Sequence, residues 1–325
     1  MKNNSFDEIA KVLLGAEKIV LYPHIGMDGD AVGSCSALAL GLIQKVKDAS
    51  VYVTENIPGN LAFMDLGFFH SDESRAKAAD ISVCVDCGDL TRIKGREEAF
   101  LSAETTVCLD HHMTSEPFCE YSYIDGNQAA TGQIVYECLK AMNVEFTKEI
   151  ADRLFASITS DTGNFQYSNT QKKSFDIASE MLDYGLNPNE ISISLYESNR
   201  LEKIRIESRA IDKMESICGG KVLIANVTQK MLRETGAVMD ETNGIVATMR
   251  SVGGCEVAVL LKEYKKDEIK VSMRSKNCCD VAKIAASFGG GGHIRAAGFT
   301  LSCNMAEAVE TIKKTFIEEM GSLDD

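Results

Sequence analysis

The chain is predicted to be an α/β protein with a parallel-sheet N-terminal domain, a helical connector and a smaller mixed α/β C-terminal domain. Three observations lead there. Short apolar runs alternate with longer amphipathic stretches through the first half, the pattern of βαβ units. The length of 325 residues exceeds one ordinary core and favours about two domains. Beyond residue 215 the pattern changes to closely spaced strand-like runs separated by turns.

Lys18–Tyr22 reads as a buried strand, followed by a loop rich in Gly and Asp. The small and apolar residues of 31–45 then suit a tightly packed helix. Residues 50–53, Ile81–Val85 and residues 105–109 predict three more strands, and 131–142 and 148–160 predict helices. Residues 191–215 are charged, helix-prone and poor in breakers, which predicts one connecting helix. Segments 221–227, 256–263 and 268–273 predict strands, the last two joined by a turn at 264–267. Segments 281–288 and 306–320 predict helices, the second with Asn304 and Glu307 as a capping pair. The expected boundaries are therefore residues 1–190, 191–215 and 216–325.

Hydrophobic residues make up 45% and charged residues 25%, an ordinary globular balance. Asp and Glu total 48 against 34 Lys and Arg, a net charge of −14 that mainly signals a solvated acidic surface. It would repel a long nucleic acid, so a phosphate substrate must be small or locally captured. Asp7 and Glu8 stand where a signal peptide would be basic, and neither 12–16 nor 37–43 is long enough for export or for spanning a bilayer. A cytoplasmic location without membrane partners is expected. Eleven cysteines, an odd number, suit reduced thiols. Cys84 and Cys87 have C-x-x-C spacing but no second pair, and their thiols are expected on opposite sides of a strand, so zinc and redox readings are set aside.

Three predicted strands end where chemistry begins: the first at His24, Asp28 and Asp30, the third at Asp86, the fourth at Asp110. Ligands of open α/β sheets collect at the carboxyl ends of strands, so convergence on one site is the economical reading. Asp28 and Asp30 would share one side of an extended segment and could address two cations. Alone, such an Asp-Gly-Asp is more often a helix cap. Adjacent His111 and His112 after a buried strand are harder to explain by packing: one ring can ligate a metal while the other points elsewhere, and a neighbouring acid commonly orients a ligating ring. Turn formation or capping would explain Asp86 or Asp161 taken singly. Gly289, Gly290, Gly291 and Gly292 before His293 could form an anion-binding nest, and Arg274 offers a forked cation for phosphate.

Taken in order, H-x-x-x-D-x-D at 24–30, Asp86, Asp110-His111-His112, Asp161 in S-D-T-G-N-F, Arg274-Ser275 and GGGGHIRAAGF at 289–299 resemble the DHH phosphoesterase family with its DHH-associated C-terminal domain. The resemblance covers nearly the whole chain. Within the family, the compact two-domain layout is similar to the bifunctional oligoribonucleases and pAp phosphatases, or nanoRNases. One departure is Gly26-Met27, where the family commonly has Asn-Pro before the first motif aspartate; it bears on loop rigidity and an outer hydrogen bond.

The resemblance implies that His24 and Asp28 bind one metal, that Asp30, His111 and Asp161 bind another, and that Asp86 bridges them. It places Asp110 behind His111 and His112 on the scissile phosphate, which makes Asp86, His112 and Asp110 the catalytic set. Arg274, Ser275, Gly290, Gly291, Gly292 and His293 would hold the substrate's other phosphate or terminal nucleotide. The cofactor implied is a pair of divalent ions, and mixed histidine and carboxylate ligands suit Mn2+. The implied activity is hydrolysis of short oligonucleotides to mononucleotides, and removal of the 3′-phosphate of pAp, by two-metal hydroxide attack without a serine or cysteine nucleophile. Metals on one domain and a clamp on the other would favour short substrates. The same motifs serve phosphodiesterases for cyclic di-AMP or linear pApA, and inorganic pyrophosphatases, against which the glycine loop argues. A non-catalytic nucleotide sensor is disfavoured by the retention of every ligand-type residue. Family members often self-associate, so a homodimer is an expectation of the resemblance alone.

Overall fold

The computed structural model describes residues 3–113 and 115–321. The chain divides into two units, Met1–Ser198 and Asn199–Asp325. In order, the first holds α1 (Phe6–Gly15), β1 (Lys18–Tyr22), α2 (Gly29–Gln44), β2 (Asp48–Tyr52), β3 (Phe69–His70), α3 (Glu73–Lys77), β4 (Ile81–Val85), α4 (Glu97–Leu101), β5 (Thr105–Asp110), β6 (Tyr121–Ile124), α5 (Thr131–Ala141), α6 (Lys148–Asp161), α7 (Lys172–Asp183) and α8 (Pro188–Ser192). Its strands form one parallel sheet in the order β3-β2-β1-β4-β5-β6. All five residues of β4 are buried, as a central strand covered on both faces requires. Strand order reverses between β1 and β4, and the crevice beyond their carboxyl ends is where such sheets bind ligands.

Two of the helices show how sequence becomes packing. The first helix, α1, is set by a capping box that the apolar pattern did not reveal: the Ser5 hydroxyl accepts the Glu8 N–H at 3.2 Å, and the Glu8 carboxylate accepts the Ser5 N–H at 2.7 Å. Ile9, Ala10 and Leu13 then face the core. Helix α2 is built from Gly, Ala, Ser and Leu and is buried nearly all round. A methyl group at Gly33 would stand 2.7 Å from the Arg153 carbonyl oxygen of α6, so the two backbones meet where only glycine fits.

The expected single connector is not one helix. Ile191 and Leu195 belong to the first core, while Ile206 and Ala210 belong to a core of the second unit. Competing burial breaks the segment into α8, a π-helical turn at Ile193–Glu197, and α9 (Leu201–Asp212).

After α9 the second unit contains β7 (Glu215–Ile217), β8 (Val222–Val227), α10 (Gln229–Thr235), α11 (Ile245–Arg250), β9 (Val257–Lys265), β10 (Glu268–Ser275), α12 (Val281–Ser287), β11 (Gly291–His293), β12 (Ala296–Leu301) and α13 (Met305–Gly321). The sheet order is β11-β12-β10-β9-β8-β7, parallel at β8–β9 and antiparallel elsewhere. Val257, Val271 and Phe299 pack on Ile284 of α12 and Ile312 and Phe316 of α13. The opposite face presents Leu223, Ala225, Ala258 and Leu260 to Ile206, Met231 and Met249 of α9, α10 and α11. Asn304 caps α13 by accepting the Glu307 N–H at 3.0 Å. Among the described residues, no helix is long and apolar enough to cross a membrane.

Gly33→Ala should overpack the α2–α6 contact and cost about 1–3 kcal/mol. Urea unfolding with a midpoint equal to that of the unaltered chain would show that the helices can part without penalty.

Candidate metal centre

His24 follows β1 at the switch point and is 5% exposed. Its Nδ1 lies 2.9 Å from the Ile25 carbonyl, which can only accept, so Nδ1 carries the proton and Nε2 is the atom left for another partner. That Nε2 is 3.5 Å from Asp86 Oδ2 and 3.7 Å from Asp28 Oδ2. His111, directly after β5, is fixed the same way by the Gln128 carbonyl at 3.2 Å from its Nδ1. Its Nε2 is 3.1 Å from Asp161 Oδ2, and 3.5 Å from both Asp30 Oδ2 and Asp86 Oδ1.

The carboxylates are held from behind. Asp28 divides its work: Oδ1 accepts the N–H groups of Asp30 and Ala31, capping α2, while Oδ2 faces His24. Cap and ligand-type geometry therefore coexist on different oxygens. Asp30 lies in the first turn of α2 rather than on an extended segment, so strand alternation does not set its direction. It points at the start of α5, where Oδ2 accepts the Thr131 N–H at 2.7 Å and Oδ1 accepts the Gly132 N–H at 3.1 Å. Ser34 and Ser157 hydroxyls complete its shell at 2.9 and 2.5 Å. A helix N-terminus with two free N–H groups suits a buried anion.

Asp86 follows β4 with a left-handed backbone, φ +60°. That conformation is uncommon for a residue with a Cβ and is kept where surrounding structure enforces it. It turns one carboxylate so that Oδ2 faces His24 while Oδ1 faces His111 and accepts the Thr131 hydroxyl at 2.8 Å. Asp161 is the last residue of α6, and the chain then leaves through Gly163, Asn164 and Phe165, all at positive φ.

These groups form two donor sets, His24 with Asp28 and Asp86, and Asp30 with His111 and Asp161, and a third set overlaps them by joining Asp86 and His111 with His112. Within each set the ligand-type atoms lie within 4.8 Å of one another. Burial pushes Asp30 well above the usual carboxylate range, and the nearby Asp86 and Asp161 push it further. Burial opposes charge on His24 and His111, yet the carboxylates around each hold both rings up at about 11. Buried carboxylates crowded this closely require positive charge, and without a metal the two imidazoles supply it as protons. Imidazole nitrogens with carboxylate oxygens are a donor set that fits a divalent first-row ion.

Several expectations change. Asp110 supports His112, not His111: its Oδ1 accepts the His112 Nδ1–H at 2.8 Å, and its Oδ2 accepts the His112 backbone N–H at 3.2 Å and the Ser115 hydroxyl. Side chains two apart share a side after a strand, which places 110 with 112 and sends 111 the other way. The bond from Asp110 is the main reason the His112 pKa is raised. The sequence marks Thr131 only by its place at the first turn of a predicted helix, and the fold sets its hydroxyl on Asp86. Gly26, at φ +72°, and Met27 donate their N–H groups to Glu55 Oε1 at 2.5 and 3.3 Å, so a carboxylate pins the loop where the family's Asn-Pro is missing. Cys84 and Cys87 do not face opposite ways. The left-handed turn at Asp86 returns Cys87 to the side of Cys84, and both join Cys108 in one apolar cluster. All eleven cysteines are free thiols.

In the second unit, Arg274 of β10 opposes Ala296 of β12, which opposes His293 of β11, so the three share one row. The His293 side chain lies outside the described part of the structure. Ser275 is 1% exposed and donates its hydroxyl to the Cys279 carbonyl at 2.7 Å, so that hydroxyl is committed internally. Gly289 and Gly290 donate their N–H groups to Ala286 and Ala285 and close α12, and Gly291 and Gly292 begin an edge strand. The run is thus a helix end and a strand rather than four open N–H groups. A methyl at Gly290 would fall 2.3 Å from the Gly298 oxygen, and one at Gly292 would fall 2.4 Å from the Ala296 oxygen. Gly291 alone of these three faces open space.

A parallel sheet with histidines and aspartates gathered at its switch point, joined to a second domain of this kind, defines a phosphoester hydrolase. Residues 18–158 match the DHH family N-terminal domain and residues 219–322 match the DHHA1 domain, and the chain belongs to the DHH phosphoesterase family. The bifunctional oligoribonuclease and PAP phosphatase NrnA of Thermus thermophilus is 30% identical over 317 residues, 96% of this chain and 93% of that protein. The crystal structure of an exopolyphosphatase-related protein from Bacteroides fragilis has the same fold, with a TM-score of 0.92 at 24% identity over 98% of this chain and 97% of that one. RecJ of Thermus thermophilus in complex with Mn2+ matches with a TM-score of 0.61 at 15% identity, over 99% of this chain and 55% of RecJ.

Two outcomes test the centre. Thr131→Val keeps the N–H to Asp30 but removes the hydroxyl from Asp86, and should weaken Mn2+ affinity about 10–100-fold; equal affinity would show the hydroxyl to be idle. With His24 and His111 pKa values about 11, both rings are protonated at neutral pH in the metal-free protein. Cation entry should therefore release protons, and affinity should fall as pH falls. Calorimetry in buffers of different ionisation heat reads this, and no net release would contradict the assigned protonation.

Proposed function

We propose that the chain is a manganese-dependent phosphoesterase that hydrolyses short oligonucleotides to mononucleotides and removes the 3′-phosphate of pAp. The observation that carries this reading is Asp86, one carboxylate whose two oxygens face two separate histidine-containing donor sets. His24 and Asp28 would hold one cation, Asp30, His111 and Asp161 the other, and Asp86 both. When bound, the pair would acidify a water and neutralise charge on the phosphate. Manganese is supported by the donor chemistry and by the Mn2+ in the RecJ structure of the same fold.

The chain's own groups supply the rest. Asp110 fixes the His112 ring with Nδ1 protonated and favours the imidazolium, a preorganised cation for a phosphate oxygen as its charge grows. Burial pushes the Cys35 and Cys84 thiols well above their usual range, so neither provides a thiolate nucleophile. In the second unit, the row containing Arg274 and the glycine edge would receive the substrate's other phosphate or terminal nucleotide. The name of the Thermus thermophilus relative supports oligoribonucleotides and pAp as the substrate pair. A net charge of −14 also disfavours long polyanions.

With Mn2+, turnover should be fastest on pAp and on di- to pentanucleotides, measured beside linear and cyclic di-AMP, pyrophosphate and long RNA. Asp86→Asn should bring turnover to background and lower metal content together. Pyrophosphate or long RNA as the preferred substrate, or an active Asp86→Asn variant, would refute the reading.

A further inference from the structure

On the second sheet, the layer of α9, α10 and α11 covers β8 and β9 as far as Leu260, and α11 also reaches β10. On the same face of β10, Lys270, Ser272 and Arg274 alternate with buried residues and remain partly exposed. Their partners on β12 are Thr300, Gly298 and Ala296, which raise no large side chain over the strip. Lys270 stands directly opposite Lys262 of β9. Opposed like charges destabilise a sheet, and this chain has only 34 Lys and Arg against 48 Asp and Glu. Neither lysine forms an ion pair among the described residues. Lys262 Nζ donates to Asn243 Oδ1 at 3.0 Å, and Lys270 Nζ lies 3.7 Å over the ring of Tyr264, which is 48% exposed. Burial, with Lys270 and Arg274 nearby and Asp240 pulling the other way, holds the Lys262 pKa below its usual value. A strip of cations ending in an exposed aromatic ring, with a floor of small residues, has the composition of a single-strand binding groove.

We propose that Lys262, Lys270 and Tyr264 extend the substrate row around Arg274 into a short oligonucleotide track along β10, with the lysines on internucleotide phosphates and Tyr264 stacking on a base. A strand rise of ~3.4 Å per residue puts Lys270 ~14 Å along β10 from Arg274. That is about four steps of a stacked strand at ~3.4 Å per nucleotide. The track then ends, because Tyr264 lies just before the turn that closes the hairpin. Its reach thus selects oligomers of a few residues. This inference rests on the oligonucleotide reading above and adds the element that senses length.

The test is fluorescence anisotropy with labelled di-, tri- and tetraribonucleotides on the metal-free full chain, where nothing is cleaved, over a series of salt concentrations. Affinity should rise from dimer to tetramer. The Lys262→Gln, Lys270→Gln double variant should bind the tetramer at least tenfold more weakly, and its salt slope should shrink by about 1.4, from two phosphates at ~0.7 each. The corresponding double Arg variant should restore both. Tyr264→Ala should lose about tenfold with the slope unchanged. Length dependence and slope that survive the double Gln change, or no tetramer binding by the unaltered chain, would overturn the track. Turnover of pAp by the unaltered, Mn2+-loaded chain is the separate control: its absence alongside normal tetramer binding would sink the activity and leave the track standing.

Discussion

The first unit depends on one constraint: Asp86 must remain a buried carboxylate between His24 and His111. A charged group taken out of water is costly unless its neighbours compensate it. The chain instead surrounds it with compensation, an imidazole facing each oxygen and the Thr131 hydroxyl on one of them. The left-handed backbone at residue 86 is the local cost of aiming both oxygens at once. Asp30 shows the same logic one layer further back. The start of α5 satisfies it with two N–H groups, so an element that adds no side chain to the donor sets still shapes the centre.

Much of this was legible in sequence because the signals were local. Lys18–Tyr22 and Ile81–Val85 are short, mostly apolar runs that read as strands, and both match the structure. The clusters at 24–30 and 110–112 announced a site because strand ends in α/β sheets converge. What escaped was non-local. Thr131 matters only because the fold lays it against Asp86, 45 positions earlier. The partner of Asp110 turned on side-chain alternation after a strand end. The segment 191–215 looked like one helix because its propensity is uniform, whereas two cores pull its halves apart. Cys84 and Cys87 would oppose each other on a regular strand, but the left-handed turn at Asp86 breaks it and brings them to one side.

The glycine run illustrates a related ambiguity. Four consecutive glycines suggest open backbone, yet two of them finish a helix and two others begin a strand lying tight on β12. Gly290 and Gly292 are required by closeness to neighbouring backbone rather than by freedom. The row formed with Arg274 and Ala296 is a product of antiparallel register, which no linear motif encodes.

The carboxylates at the switch point come from the start of α2, the residue after β4 and the end of α6, and they meet only once the sheet is assembled. An unfolded chain offers no comparable cradle, so cations that settle there favour the folded form by mass action. Metal supply would thereby bear on how long the folded first unit persists. Under scarcity, the first unit would open more often and meet proteases sooner, and the abundance of the enzyme would follow the availability of its ions.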